Sequence, residues 1–155
     1  MLRFIHAADF HLDSAFAALT PRQAAARRRE SRELPVRLAN YVNQNNIDLV
    51  LLAGDLFDSA ASYRDTAEEL SAALWQMEAQ VYIAPGNHDW YGPGSPYLTV
   101  KWPENVHIFT QPRLETMEWP EKNLALHGAA FTHGEQADGF LTGSQEVSGS
   151  IPLFS

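Results

Sequence analysis

Val81-Tyr-Ile-Ala-Pro-Gly-Asn-His-Asp-Trp90 is the stretch on which the reading of the whole chain turns. Its first four residues are a short apolar run suited to a buried strand. Pro85-Gly86 breaks that strand and turns the chain sharply. The turn leaves an amide, an imidazole and a carboxylate (Asn87, His88 and Asp89) just past the strand's carboxyl end. In open α/β sheets that edge is where ligands bind. Taken alone, three polar residues in a turn read equally well as solvated side chains, so the flanking sequence decides.

Upstream, the periodicity places a helix from about Arg64 to Glu78, with Leu70, Ala73, Leu74 and Met77 on one face. Before it, Ile47-Asp-Leu-Val-Leu-Leu-Ala53 is a near-continuous apolar strand, suited to a parallel sheet covered on both faces, and it stops at Gly54-Asp55. Thr20-Pro21 has the form of a helix start, and that helix is expected to run to Val42 with a kink at Pro35. A first strand over Leu2–Ala8 ends at Asp9-Phe-His11. Strand, helix, strand, helix, strand is the pattern of crossovers that build a parallel sheet, so Asp9, Asp55 and Asn87 are expected at one edge. Downstream, Val106–Phe109, Leu114–Met117 and Leu124–His127 read as short strands of a second, antiparallel or mixed sheet. Gly92–Pro96 reads as a loop, and the Gly/Ser-rich stretch from Gly139 to Ser155 carries no expected element.

At 155 residues the chain is long enough for one domain with a real core. The absence of cysteine excludes disulfides, thiolate zinc sites and thiol nucleophiles. No apolar run approaches the ~20 residues a bilayer requires, and the N-terminus lacks the plan of a signal peptide. A cytoplasmic location with no membrane partner is therefore expected. The net charge of −8 argues against a broad basic face, yet six of the eleven Lys+Arg lie between Arg22 and Arg37. Some of the carboxylates are candidates for a metal site, where bound cations would invert the local charge.

The chemistry at the three strand ends is coherent. Asp9 and His11 offer a carboxylate and an imidazole able to converge on one cation. Asp55 offers a second carboxylate that can bridge two ions, and Asn87 a neutral oxygen suited to a hard ion such as Mn²⁺ or Mg²⁺. His88 is then free to face substrate. Asp58, three residues past Asp55, is placed to hold one nitrogen of His88 and set its tautomer.

Asp9-Phe-His11, Gly54-Asp-Leu-Phe-Asp58 and Gly86-Asn-His-Asp89 resemble, in order and separation, the first three motifs of the calcineurin-like metallophosphoesterases. The wording His6-Ala-Ala-Asp-Phe-His-Leu12 is most similar to the SbcD-type DNA repair exonucleases. The resemblance covers about residues 1 to 130. It implies an α/β fold in which a mixed β-sandwich is flanked by helices, and phosphoester hydrolysis with two metal ions, usually Mn²⁺. It assigns Asp9 and His11 to the first metal, Asp55 to both and Asn87 to the second. His88 would protonate the leaving oxygen or stabilise the phosphorane-like transition state, with Asp58 as its orienting partner. DNA is the implied substrate, an SbcC-like ATPase and a second copy of the chain the implied partners. Another calcineurin-like phosphatase or nucleotide hydrolase is the alternative, because these motifs build the metal centre and not the substrate pocket.

The family also uses a later single histidine and a Gly-His-x-His motif. After His88 the chain has only His107, His127 and His133, none of them in His-x-His. Residues 1–138 therefore read as the N-terminal portion of a catalytic domain, apparently truncated, with weak metal binding and little turnover expected of the chain alone. A non-catalytic domain fragment that binds a partner or merely folds is the further alternative. His6 reads as a core or supporting histidine, Asp89 as structural, and Asp13 as a local cap outside the site. Arg27-Arg-Arg29 reads first as a solvated helix face and second as a phosphate contact. Trp90, Tyr91 and Tyr97 are candidates either to stack on a base or to pin the loop.

Overall fold

A computed structural model of the chain describes residues 1–59, 64–135 and 139–140. Four strands, β1 (Phe4–Ala7), β2 (Leu49–Ala53), β3 (Gln80–Ala84) and β4 (Val106–Ile108), form a parallel sheet in the order β1-β2-β3-β4. Helix α1 (Pro21–Gln44) joins β1 to β2, and α2 (Arg64–Trp75) leads into β3. A one-turn helix, α3 (Pro96–Thr99), lies in the β3–β4 connection, where the sequence reads as loop up to Pro96. Strands β5 (Glu115–Trp119) and β6 (Leu124–Gly128) form a separate antiparallel pair. The α/β class and the two-sheet plan expected from sequence are both present.

Burial follows the period-2 alternation of the strands. Val50, Leu52, Val81 and Ile83 are at most 1% exposed, and they share one core cluster with Ala39 and Val42 of α1 and with Leu70 and Leu74 of α2. Right-handed crossovers stepping one way along a sheet put both helices on the same face, which is why one core suffices. On the opposite face His6, Leu51, Tyr82 and His107 stand in register across the four strands. The second sheet meets this side at Gly128 of β6, where an added Cβ would lie 2.1 Å from the Phe109 ring. Phe109 in turn packs on Tyr82 with ring centroids 6.2 Å apart.

One expectation is corrected. The strand at residues 106–108 was expected in the second sheet, but it pairs in parallel with β3, Val81 with Val106 and Ile83 with Ile108. The cause lies just before it. The Asn105 amide donates to the carbonyls of Leu74, Met77 and Ala79, which fastens the start of β4 against the end of α2. Helix α1 continues through Pro35, which is buried, and its start is braced where the Gln23 side chain accepts the Thr20 N–H at 3.1 Å. Helix α2 ends at Trp75, short of Glu78, because Gln76 and Met77 tighten onto Ala73 and Leu74. Among the described residues, no helix is long and apolar enough to cross a membrane. The Gly/Ser-rich stretch lies, beyond residue 140, outside the described residues.

Candidate metal centre

Beyond the last residue of β1 the chain does not leave its neighbour. Asp9 N donates to Gly54 O at 3.1 Å, His11 N to Asp55 O at 3.0 Å, Leu12 N to Leu56 O at 2.9 Å, and Asp58 N back to Leu12 O at 3.0 Å. These bonds hold three residues in the left-handed region, Asp9 at φ 55°, His11 at 43° and Asp55 at 50°. A non-glycine residue there is strained by roughly 1–3 kcal/mol and persists only where its surroundings over-determine it, typically at functional sites. Here the strain turns three donor side chains toward one point.

The second loop closes on the first through contacts that tolerate no side chain at residue 86. A Cβ on Gly86 would lie 2.2 Å from Asp55 Oδ1 and 2.5 Å from Asp55 N. The same Oδ1 accepts the His88 N–H at 3.1 Å. Asp89 is fully buried and fastens both loops together: Oδ1 accepts from Gly86 N at 2.8 Å, and Oδ2 from Leu56 N at 2.8 Å and Phe57 N at 3.2 Å. The Tyr97 hydroxyl completes the shell at 2.5 Å. Burial, and then the Asp89 charge, push the Tyr97 pKa well above its usual value, so the hydroxyl stays protonated and donates. Sequence reasoning placed Asp89 among structural residues but missed its task of joining two ligand loops. Its position after Gly-Asn-His carries no sign of four donors arriving from elsewhere.

The sequence-derived site residues come together in two overlapping groups. Donor atoms of Asp9, His11 and Asp55 lie within 4.8 Å of one another, as do those of His11, Asp58 and His88. His11 Nε2 is 3.9 Å from Asp9 Oδ1, and its Nδ1 is 3.0 Å from Asp58 Oδ1. The His11 and His88 rings meet edge to face, 5.1 Å between centroids. Asp58 differs from expectation in its partner. Its carboxylate lies on His11, and His88 Nδ1 faces the Asp58 backbone carbonyl at 3.4 Å. Asn87 is exposed and lines a groove of about 470 Å³ together with Asp58, His88 and Trp90.

Two carboxylates and an imidazole with a fixed tautomer suit a hard or borderline divalent cation. A proton on His11 Nδ1, given to Asp58, leaves the Nε2 lone pair directed at the Asp9–Asp55 side, the usual arrangement of a carboxylate behind a metal-ligating histidine. The residues present therefore fit the implied metal.

The remaining polar groups lie elsewhere. The Asp13 carboxylate takes Arg32 at 3.0 Å and Thr66 at 2.8 Å, and this bond raises the Arg32 pKa. His6 sits exposed on β1, His127 bonds Thr116 at 2.9 Å, and His133 bonds Thr132 at 3.2 Å. His107 is held between Tyr82 and Phe109. Among the described residues, none of these histidines joins either donor group. Tyr97 is buried and stacked on Trp102, whereas Trp90 borders the groove.

A parallel sheet with carboxylate and imidazole donors gathered at its carboxyl edge, beside a Gly-Asn-His turn, defines an α/β domain with a candidate metal centre. Residues 2–145 match the family model of the calcineurin-like phosphoesterases, and the chain belongs to that family. It is 39% identical over 115 residues to the uncharacterized metallophosphoesterase YhaO of Bacillus subtilis (strain 168), a match covering 70% of this chain and 28% of that protein. Over 57 residues it is 42% identical to a transmembrane protein with metallophosphoesterase domain from Danio rerio, covering 36% of this chain and 12% of that one. The chain thus spans well under a third of either relative.

Proposed function

We propose that the site is that of a Mn²⁺-dependent phosphodiesterase of the SbcD exonuclease type, acting on DNA. The observation that carries the metal chemistry is the convergence of Asp9, His11 and Asp55 donors within 4.8 Å, next to His88 and Asn87. The DNA assignment is supported by the motif wording around Asp9 and Asp55. By the same resemblance we propose an SbcC-like ATPase and a second copy of the chain as partners, in the cytoplasm.

In this reading Asp9, His11 and Asp55 hold the first ion, and Asp55 with Asn87 the second. When bound, such ions polarise the phosphoryl oxygens and lower the pKa of a nucleophilic water. The chain's own residues do the rest. Asp58 fixes the His11 tautomer. The Asp58 carbonyl accepts from His88 Nδ1. The imidazolium form of His88, protonated on both nitrogens, is then the one that gives its Nε2 proton to the departing alkoxide, and it is left as the neutral Nδ1–H ring. A positioned acid of this kind contributes about 10²–10⁴-fold. Asp89 and Gly86 keep the Asn87-His88 turn against Asp55. With three protein donors for the first ion and two for the second, metal affinity and turnover of this chain alone are expected to be low.

The test is Mn²⁺-dependent hydrolysis of linear duplex DNA, a simple phosphodiester and a phosphomonoester, with His88→Gln as control. Cleavage of DNA and diester, lost in the variant, supports the proposal. Hydrolysis of the monoester alone overturns it in favour of a phosphatase. A nucleotide hydrolase is the second reading, favoured by the modest size of the groove at Asn87 and Trp90.

A further inference from the structure

Helix α1 is much longer than the sheet it covers. Its 24 residues extend roughly 36 Å at 1.5 Å per residue, against roughly 17 Å for a five-residue strand. Its last turn is fastened at the opposite end of the sheet, where Ile47 N donates to Val42 O at 3.1 Å. The first half of α1 therefore rises past the carboxyl edge of the strands, alongside the metal centre. Two contacts fix that level: Arg32 reaches Asp13 at 3.0 Å, and Arg28 reaches the Ala15 carbonyl at 3.2 Å. Asp13 is two residues beyond His11.

This projecting segment is the basic part of an acidic chain. A groove of about 740 Å³ along it is lined by Arg28, Arg29, Arg32 and Arg37, with Glu33 and Glu69 as the acidic groups. Arg37 is paired with Glu33 at 2.7 Å, and Arg32 with Asp13. Arg28 and Arg29 form no ion pair among the described residues, nor does Arg22, which continues the face of Arg29 two turns earlier. Seven residues of helix separate Arg22 from Arg29, on the order of 10 Å, or about three steps of a nucleic-acid strand at 3.4 Å each. Three unneutralised guanidinium groups with that spacing, in a chain of net charge −8, are a local exception to its charge.

We propose that Arg22, Arg28 and Arg29 form a track for the phosphate backbone of DNA, leading it along α1 to the metal centre. The inference rests on reading that centre as a phosphodiesterase and adds the surface that selects a polymeric substrate. Guanidinium groups contact phosphate oxygens in bidentate fashion and release counterions on binding, so the interaction must weaken with salt. It needs no metal, which separates it from the chemistry.

The experiment is fluorescence anisotropy of a short labelled duplex titrated with the chain in EDTA, from about 50 to about 200 mM salt. The wild type and the triple variants R22E/R28E/R29E and R22K/R28K/R29K are compared, each checked for fold by circular dichroism. Charge reversal should weaken binding more than tenfold and flatten the log–log salt slope by about 2 to 3, at about 0.9 per lost phosphate contact. The lysine variant should keep the slope. Equal affinity and slope in wild type and reversal variant, or displacement of DNA by polyglutamate at equal charge, would overturn the track. Hydrolysis of a small diester without arginine-dependent DNA binding would remove the track and leave the phosphodiesterase. Arginine-dependent binding with hydrolysis of a phosphomonoester alone would do the reverse.

Discussion

Asp58 Oδ1 stands 3.0 Å from His11 Nδ1, so the carboxylate three residues past Asp55 orients a ligand histidine. A carboxylate behind a metal-ligating imidazole typically changes metal affinity 10–100-fold when removed. Asp58→Ala should therefore weaken Mn²⁺ binding by about that factor in calorimetric titration. The His11 tautomer, read by ¹⁵N NMR of the metal-free chain, should lose its Nδ1–H preference. Unchanged affinity with unchanged tautomer would show that Asp58 does not serve His11.

Gly86 is required by space and not by flexibility. A Cβ there would meet Asp55 Oδ1 at 2.2 Å and Asp55 N at 2.5 Å, both on a backbone already held in the left-handed region. Gly86→Ala should displace Asp55 and break the His88 N–H to Asp55 bond. Metal affinity should fall at least as far as in Asp58→Ala, while the α1–α2 core keeps its far-ultraviolet spectrum. Wild-type metal binding by the alanine variant would contradict this account.

The buried Asp89 carboxylate gathers donors from Gly86, Leu56, Phe57 and Tyr97. A hydrogen bond to a charged group contributes about 1.5–3 kcal/mol, so Tyr97→Phe should lower unfolding stability by that order. Asp89→Ala should cost more, since three buried N–H groups lose their acceptor at about 1–3 kcal/mol each. The pH dependence has a definite sign. Folding raises the Tyr97 pKa above the usual 10.0, so the folded chain holds its proton longer than the unfolded chain. That contribution is fully present below pH 10 and is lost as pH rises toward the folded value. Urea midpoints measured upward from pH 9 should fall for the wild type and fall less for Tyr97→Phe.

The parts of this arrangement that were legible in the sequence are those set by local chemistry. Apolar runs ending at Gly54-Asp55 and Pro85-Gly86 announce strands that stop at polar ligands, and the crossover pattern places Asp9, Asp55 and Asn87 on one edge. What was not legible depends on long-range contacts. Val106-His-Ile108 alternates equally well for either sheet, and only the three carbonyls reached by Asn105 assign it to β3. Likewise, whether Asp58 serves His11 or His88 depends on the left-handed backbone at His11, which spacing does not reveal. Four donors converge on Asp89 from segments 3 to 33 residues away, and no local pattern marks that.

His107 supplies an acid-side counterpart to Tyr97. It lies in β4 between Tyr82 and Phe109, and its Nε2 is buried without a hydrogen-bond partner among the described residues. Burial lowers its pKa from 6.5, opposed in part by the Glu115 carboxylate. The unfolded chain therefore binds a proton before the folded one does as pH falls below 6.5. Stability from this residue is full above that value and declines as pH falls toward the folded pKa. His107→Phe removes both the titration and the unpaired nitrogen while keeping an aromatic ring against Tyr82. Its urea midpoint at pH 8 should equal or exceed the wild type's, and the decline of that midpoint between pH 6.5 and pH 5 should be shallower. An unchanged acid slope in the variant would mean that other groups set the acid limit and that protonation of His107 is not linked to unfolding.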